Sequence, residues 1–333
     1  MGLRGLACAD STGPRTFSWG INGHPLTQEA YWGNMGLQMK ILKELGMGYY
    51  RVDMAHDDKG VIYEETKGRF IELMNRAAES GIAVIPILFP PDPAVLYALS
   101  GADTAYEKGL ALGKGFADLY GKFFDIYEMG NENDANVLIP PAGPGSDPAQ
   151  YDMRKLKILA GFFRGLSDGI RQVDAGAKLI ISNSGWMHYA YFELLSREGV
   201  NFDIIGYHWY NDSRHLRSVL RILRSRFSGK PIWFTEINWR SDGNVDEAAR
   251  REKLIKQYIR AIIHIGKNVQ AFFFYELFDE PAIADKNESH FGVVNWNQRY
   301  RTISDKPLFS LLRKAIRQYG PPRFLPYNIP SGK

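Results

Sequence analysis

Seven times along the chain, a run with helical periodicity ends near a glycine and passes at once into a short β-rich apolar run. The junctions read KELGMGYYRV at Gly46, AAESGIAVIPIL at Gly81, DLYGKFFDIY at Gly121, DAGAKLIIS at Gly176, REGVNFDIIGY at Gly199, SGKPIWFTE at Gly229 and HIGKNVQAFFFY at Gly266. A glycine just past a helix end is expected to take the left-handed cap conformation that other side chains resist. With the opening run TFSWGIN the count of strands reaches eight.

The segments between these strands carry core-facing stripes. One runs Leu156, Leu159, Phe163, Leu166, Ile170, and another Leu216, Val219, Leu220, Leu223, Phe227. Spacings of three and four place each set on one helical face. Arg217, Arg221 and Arg224 fall on a different face, expected to be solvated. Eight alternations closed by KPLFSLLRKAIRQYG argue for an α/β fold, a single-domain (β/α)8 TIM barrel over residues 16–320, with tails at 1–15 and 321–333. An open doubly wound sheet is the runner-up, but TFSWGINGHPL lacks the Gly-rich phosphate turn that usually marks it.

Composition agrees with one large core. The 333 residues are 45% hydrophobic, and no linker or charge block divides them. Lys and Arg number 41 against 37 acids, a balance too even for a nucleic-acid binder. The single cysteine, Cys8, excludes an internal disulfide framework and a Cys-rich metal site. No run of about 18 apolar residues is present to span a membrane. The start, MGLRGLACADST, is too short in apolar residues for a signal peptide, so the chain as written reads as cytoplasmic; a removed leader would make it periplasmic or secreted. A monomer is expected.

In a barrel of this kind chemistry sits at the C-terminal ends of the strands. Those ends carry Asn22 and His24, Arg51 and Asp53, Phe89, Asn131 and Glu132, Asn183 and Trp186, His208 and Tyr210, Glu236 and Trp239, then Tyr275, Glu276 and Asp279. Glu132 on strand four and Glu236 on strand seven face each other across the mouth. Cleavage of a glycosidic bond needs such a pair, one acid to protonate the departing oxygen and one carboxylate opposite the oxocarbenium-like carbon. Glu132 lies between Asn131 and Asn133, whose amides suit a sugar hydroxyl. Glu236 is expected to stay ionised beside Arg51 and Tyr210. Glu128 is expected to point inward and pair with a buried cation as scaffold.

Aromatic faces at strand ends suit sugar stacking, and Trp186, Trp209, Trp239 and Trp296 occupy such places. His24 is placed to contact a sugar from the loop after strand one. Asp279 and Glu280 in ELFDEP rim the cleft or form a polar loop. GLSDG at 165–169 fits the Gly-x-Ser-x-Gly pattern but falls inside a helical stripe, whereas a nucleophile elbow needs a strand-to-helix turn. No HExxH, His-x-His or carboxylate loop of metal-ligand spacing occurs, so neither a metal-dependent hydrolase nor a cofactor is expected.

The segments YEMGNEN, FTEINW, YYRVDM and GYHWY together resemble clan A of the retaining glycoside hydrolases, over residues 16 to 320. Within the clan, WGIN, RVDM, NEN, YHWY and FFFYELFDEP are most similar to family 39 and its exopolysaccharide-hydrolase relatives, with family 5 as a rival. The resemblance implies a retaining double displacement on a polysaccharide or oligosaccharide, with Glu132 as acid/base and Glu236 as nucleophile. It further implies that Asn131 holds the hydroxyl beside the anomeric carbon, that Arg51 and Tyr210 orient the nucleophile, and that His208 lines the sugar site. This chain departs from the clan at Asn133, where proline is usual, and at Gly130, where an aromatic often stands and a glycine is expected to open space under the loop. The strand-eight platform falls to Phe274 or Tyr275. The stretches VLIPPAGPGSDPA at 137–149 and Pro281 to Trp296 are expected to wall a cleft, which favours endo action over a closed exo pocket. A transglycosylase, or a glycan-binding protein without turnover, would keep the same residues.

Overall fold

The computed structural model describes residues 17–140, 143–239, 245–265, 268–280, 288–297 and 302–319. The expected tails at 1–15 and 321–333 lie outside these. The barrel strands are β1 (Ser18–Gly23), β2 (Tyr49–Asp53), β3 (Ala83–Leu88), β4 (Ile126–Met129), β5 (Lys178–Asn183), β6 (Ile204–Trp209), β7 (Ile232–Ile237) and β8 (Val269–Phe274). They close in sequence order, with β8 parallel to β1. The helices are α1 (Met35–Leu45), α2 (Glu64–Ser80), the short α3 (Pro93–Leu96), α4 (Ala102–Tyr120), α5 (Met153–Val173), α6 (Tyr189–Arg197), α7 (Ser213–Arg226), α8 (Val245–Ile265) and α9 (Pro307–Gln318). The fold is the (β/α)8 barrel that the alternation predicts.

Two apolar clusters separate the inside of the barrel from the layer outside it. Tyr49, Ile85, Ile180, Ile204, Trp233, Ala271 and Phe273 form the inner plug. Its rings stack, Trp233 on Phe273 at 5.8 Å between centroids. The larger cluster fills the space between strands and helices and contains both predicted stripes, from Leu156 to Ile170 and from Leu216 to Phe227. Arg217, Arg221 and Arg224 are exposed, as their face requires.

The cap expectation holds at three junctions and not at three others. Gly46, Gly81 and Gly199 take positive φ. Gly121 stays right-handed because the chain there continues as a 3-10 turn, Gly121–Phe123. Gly176 and Gly229 are not left-handed either; at the former, Asp174 Oδ1 accepts the Gly176 N–H at 3.0 Å and closes the turn with its side chain. Gly266 lies outside the described residues.

GLSDG is a packing motif. Gly165 and Gly169 sit in α5 against α4, where a Cβ on Gly165 would come within 1.9 Å of the Tyr106 carbonyl oxygen. The absent side chain lets two helices approach at backbone distance, and Ser167 is buried, donating to the Asn201 carbonyl. After β8 the chain also builds an antiparallel pair, β9 (Val294–Asn297) with β10 (Thr302–Asp305), which starts at the end of the stretch from Pro281 to Trp296 and continues beyond it.

Candidate active site

Arg51 is the centre of the strand-end cluster. It is 2% exposed, and all of its guanidinium nitrogens are engaged. Its Nε and Nη2 donate to the two oxygens of Glu128 at 2.6 and 2.7 Å, a bidentate pair. Its Nη1 donates to Glu236 Oε1 and Asn22 Oδ1, each at 2.7 Å, and its Nη2 also to Asn131 Oδ1 at 2.7 Å. Burial works against its charge, but Glu128 and then Glu236 raise its pKa beyond the ordinary value, so it stays a cation. Glu128 is thus the inward scaffold carboxylate that the sequence suggests.

Asn22 closes the ring of strands, donating to the carbonyls of Thr235 and Phe274 at 3.0 Å each. Its oxygen and that of Asn131 both accept from Arg51. The Asn131 amide nitrogen is left clear of Arg51.

Glu236 owes its orientation to a bulge. Between Gly206 and His208 on β6 there are two steps, whereas their partners Trp233 and Glu236 on β7 are three apart, and the register with β8 shifts over the same stretch. Strict alternation from the inward Trp233 would point Glu236 outward; one extra residue turns it in. Tyr210 then donates to Glu236 Oε2 at 2.6 Å. Burial, then the Glu236 charge, pushes the Tyr210 phenol well above its usual value, so it remains a donor.

Glu132 and Glu236 share His208. The His208 Nδ1 is 2.6 Å from Glu132 Oε1 and 3.4 Å from Glu236 Oε2. One ligand-type atom from each of the three residues lies within 4.8 Å of the others. His208 is fully buried; burial lowers its pKa, but the Glu236 charge and the Glu132 hydrogen bond carry it above 6.5. The Glu236 side chain is 7% exposed and that of Glu132 37%. One carboxylate is enclosed and the other is partly open to solvent.

The loop bearing Glu132 is held by unusual backbone. Gly130 has φ 72° and Glu132 φ 51°, the latter a region that side chains with a Cβ avoid. Gly130 does not open empty space: a Cβ there would meet Asn133 Oδ1 at 2.0 Å and Phe163 at 2.9 Å. The two departures from the clan pattern are therefore one feature, in which the Asn133 side chain fills what Gly130 vacates. Asp134, fully buried, then anchors the loop, accepting from Ser184 N at 2.9 Å, Ser184 Oγ at 2.7 Å and His188 Nδ1 at 2.5 Å. Sequence reading missed this clamp because its partners lie some fifty positions away and no local pattern joins them.

Of the proposed platforms, Tyr275 flanks the site, its ring 6.3 Å from Tyr210 and 5.7 Å from His24. Phe274 is buried against Trp19 on the outer side of the strand and offers no face. Trp209 is likewise fully buried, a packing residue. Trp186 and Trp239 are half-buried; the first packs edge-on against His215 at 4.9 Å, and Arg250 lies 5.3 Å over the second. Trp296 has its backbone in β9, and its side chain lies outside the description. His24 is 6% exposed, with Nδ1 2.7 Å from Asp53 Oδ2. Burial lowers its pKa, but Asp53, then Glu276 and Glu280, raise it to about 10. It is a buried residue beside Tyr275, with partners that the sequence does not reveal.

Comparison with known proteins adds a family model and a fold. A model described as "Glycosyl hydrolase catalytic core" matches residues 170–292, from late α5 to beyond β8. No curated protein sequence matches. Among solved structures, a beta-glucosidase from Thermotoga maritima in complex with noeuromycin is 12% identical with a TM-score of 0.72, covering 92% of this chain and 99% of that one. The same coverage, with 13% identity and a TM-score of 0.70, is found for a family 1 b-glucosidase from Thermotoga maritima. At this identity the likeness is one of fold, and it extends over nearly the whole of both chains.

Proposed function

We propose that the protein is a retaining glycoside hydrolase. The catalytic-core match and the barrel likeness support glycoside hydrolysis. The observation that carries the finer reading is the approach of Glu132 and Glu236, one oxygen of each lying within 4.8 Å of the other and both flanking His208 Nδ1. Direct attack needs carboxyl groups about 5 to 5.5 Å apart, whereas a water between them needs roughly 6.5 to 9.5 Å.

In the first step Glu132 gives its proton to the departing glycosidic oxygen while Glu236 attacks the anomeric carbon and the C–O bond breaks. In the second, Glu132 takes a proton from water, which displaces Glu236 and regenerates the carboxylate. The half-exposed Glu132 can exchange protons with solvent and the leaving group. Glu236, fixed by Arg51 and Tyr210, meets the carbon without reorganisation. Asn131 presents its amide nitrogen to the neighbouring hydroxyl, and Tyr275 with Trp186 and Trp239 lines the sugar path. The substrate is a polysaccharide or oligosaccharide, cut internally in an exopolysaccharide by a monomer spanning residues 16–320.

The test pairs two variants. Glu236→Gln should lower kcat by about 10^4-fold or more, as loss of a nucleophile does. A mechanism-based fluorosugar should label Glu236 and no other residue. Glu132→Ala should lose about 10^2- to 10^4-fold on poor leaving groups and far less on activated aryl glycosides, which need little protonation. Equal loss across leaving groups would remove Glu132 from its role, and an inverted product anomer would remove the retaining assignment.

A further inference from the structure

Beneath the cleft, between the ends of β1 and β8, lies a second cluster that the reaction does not use. His24, Glu276 and Glu280 each bring one ligand-type atom within 4.8 Å of the others. All three are buried, Glu276 completely. One atom of this cluster, His24 Nε2, has no hydrogen-bond partner among the described residues. Such an orphaned polar atom is costly in an interior unless a ligand satisfies it.

The spacing selects the kind of ligand. His24 Nε2 stands 3.4 Å from Glu276 Oε2, too long for a charge-assisted hydrogen bond. Two donors on a tetrahedral ion with bonds of about 2.0 to 2.2 Å stand roughly 3.4 Å apart. The surroundings match those of a metal-binding histidine: Asp53 Oδ2, 2.7 Å from Nδ1, fixes the ring so that Nε2 faces Glu276. Tyr31 orients the carboxylate, donating to Glu276 Oε2 at 2.7 Å. Lys306, a cation in the same region, is committed to Asp279 and the His290 carbonyl.

We infer that His24, Glu276 and Glu280 form a binding site for one divalent cation of the zinc or manganese class. One imidazole nitrogen, which gives up its proton as the ion binds, with two carboxylates suits these ions better than calcium, which prefers an all-oxygen shell. The ion would tie the loop after β8 to the end of β1 and hold Tyr275, whose ring packs on His24, at the cleft wall. Its role is structural and independent of the two-glutamate chemistry.

The full-length protein, stripped with a chelator, is titrated calorimetrically with Zn2+, Mn2+ and, as control, Ca2+. The expected result is one equivalent of Zn2+ or Mn2+ per chain, weaker or no binding of Ca2+, and a Tm that rises with ion concentration. Glu276→Gln should weaken binding by more than about 100-fold, and Asp53→Asn by about 10- to 100-fold, as loss of an orienting partner does. Glu132→Gln separates this site from the catalytic cluster and should leave the affinity unchanged. Wild-type protein that binds less than a tenth of an equivalent overturns the inference. So does binding that survives Glu276→Gln but vanishes in Glu132→Gln. Should Glu276→Gln fail to fold by circular dichroism, His24→Gln and the wild-type titration decide the matter.

Discussion

Arg51 concentrates more of the site's energetics than any other single side chain. It balances Glu128 and Glu236 in a place from which water is excluded, so removing its fork strands two carboxylates. Arg51→Lys keeps the charge but cannot reach Glu128 bidentately together with Glu236, Asn22 and Asn131. It should cost about 3 kcal/mol of stability, read from urea unfolding, and should lower kcat more than it raises KM. Arg51 and its position were legible in YYRVDM. Its bond to Glu128 was legible only as the need of a buried carboxylate for some cation, because a strand pattern does not say which neighbour will reach.

At the scale of elements, the loop after β4 and the α4–α5 pair make the sharpest predictions. Gly130→Ala adds a Cβ at φ 72° that would meet Asn133 at 2.0 Å, so the loop must move and Glu132 with it. Activity on poor leaving groups should fall by more than activity on activated ones. Asn133→Ala in the same chain should restore part of the loss, since the two side chains contend for one volume; no recovery in that double variant would show the clash to be irrelevant. Gly165→Val in α5 drives a branched side chain into the α4 backbone. It should destabilise by about 3 kcal/mol or more with little effect on kcat of the folded fraction, as thermal unfolding beside active-site titration would show. The GLSDG pattern has its physical meaning here, in helix contact.

For the whole molecule, the buried His208 links the site to pH. Its folded pKa is raised above 6.5, so its charge adds stability that is fully present below pH about 6.5 and lost as pH rises through the folded value. Wild-type protein and His208→Gln should therefore differ most in urea midpoint at low pH and converge as the solution becomes alkaline. A constant difference from pH 5 to 9 would mean that the histidine acts by packing alone. The sequence by itself determined the architecture, because eight strand–helix alternations, seven of the strands entered past a glycine, leave a chain little choice but to close as a barrel. It also determined which residues stand at the strand ends, since that follows from counting along each strand. Tertiary structure decided which way those residues face and whom they meet. The bulge that turns Glu236 inward, the Asn133 side chain beneath Gly130, the Asp134 clamp and the His24 cluster all depend on contacts between distant segments. A pattern along one segment cannot specify such contacts, because register and close approach are fixed only when the strands pair.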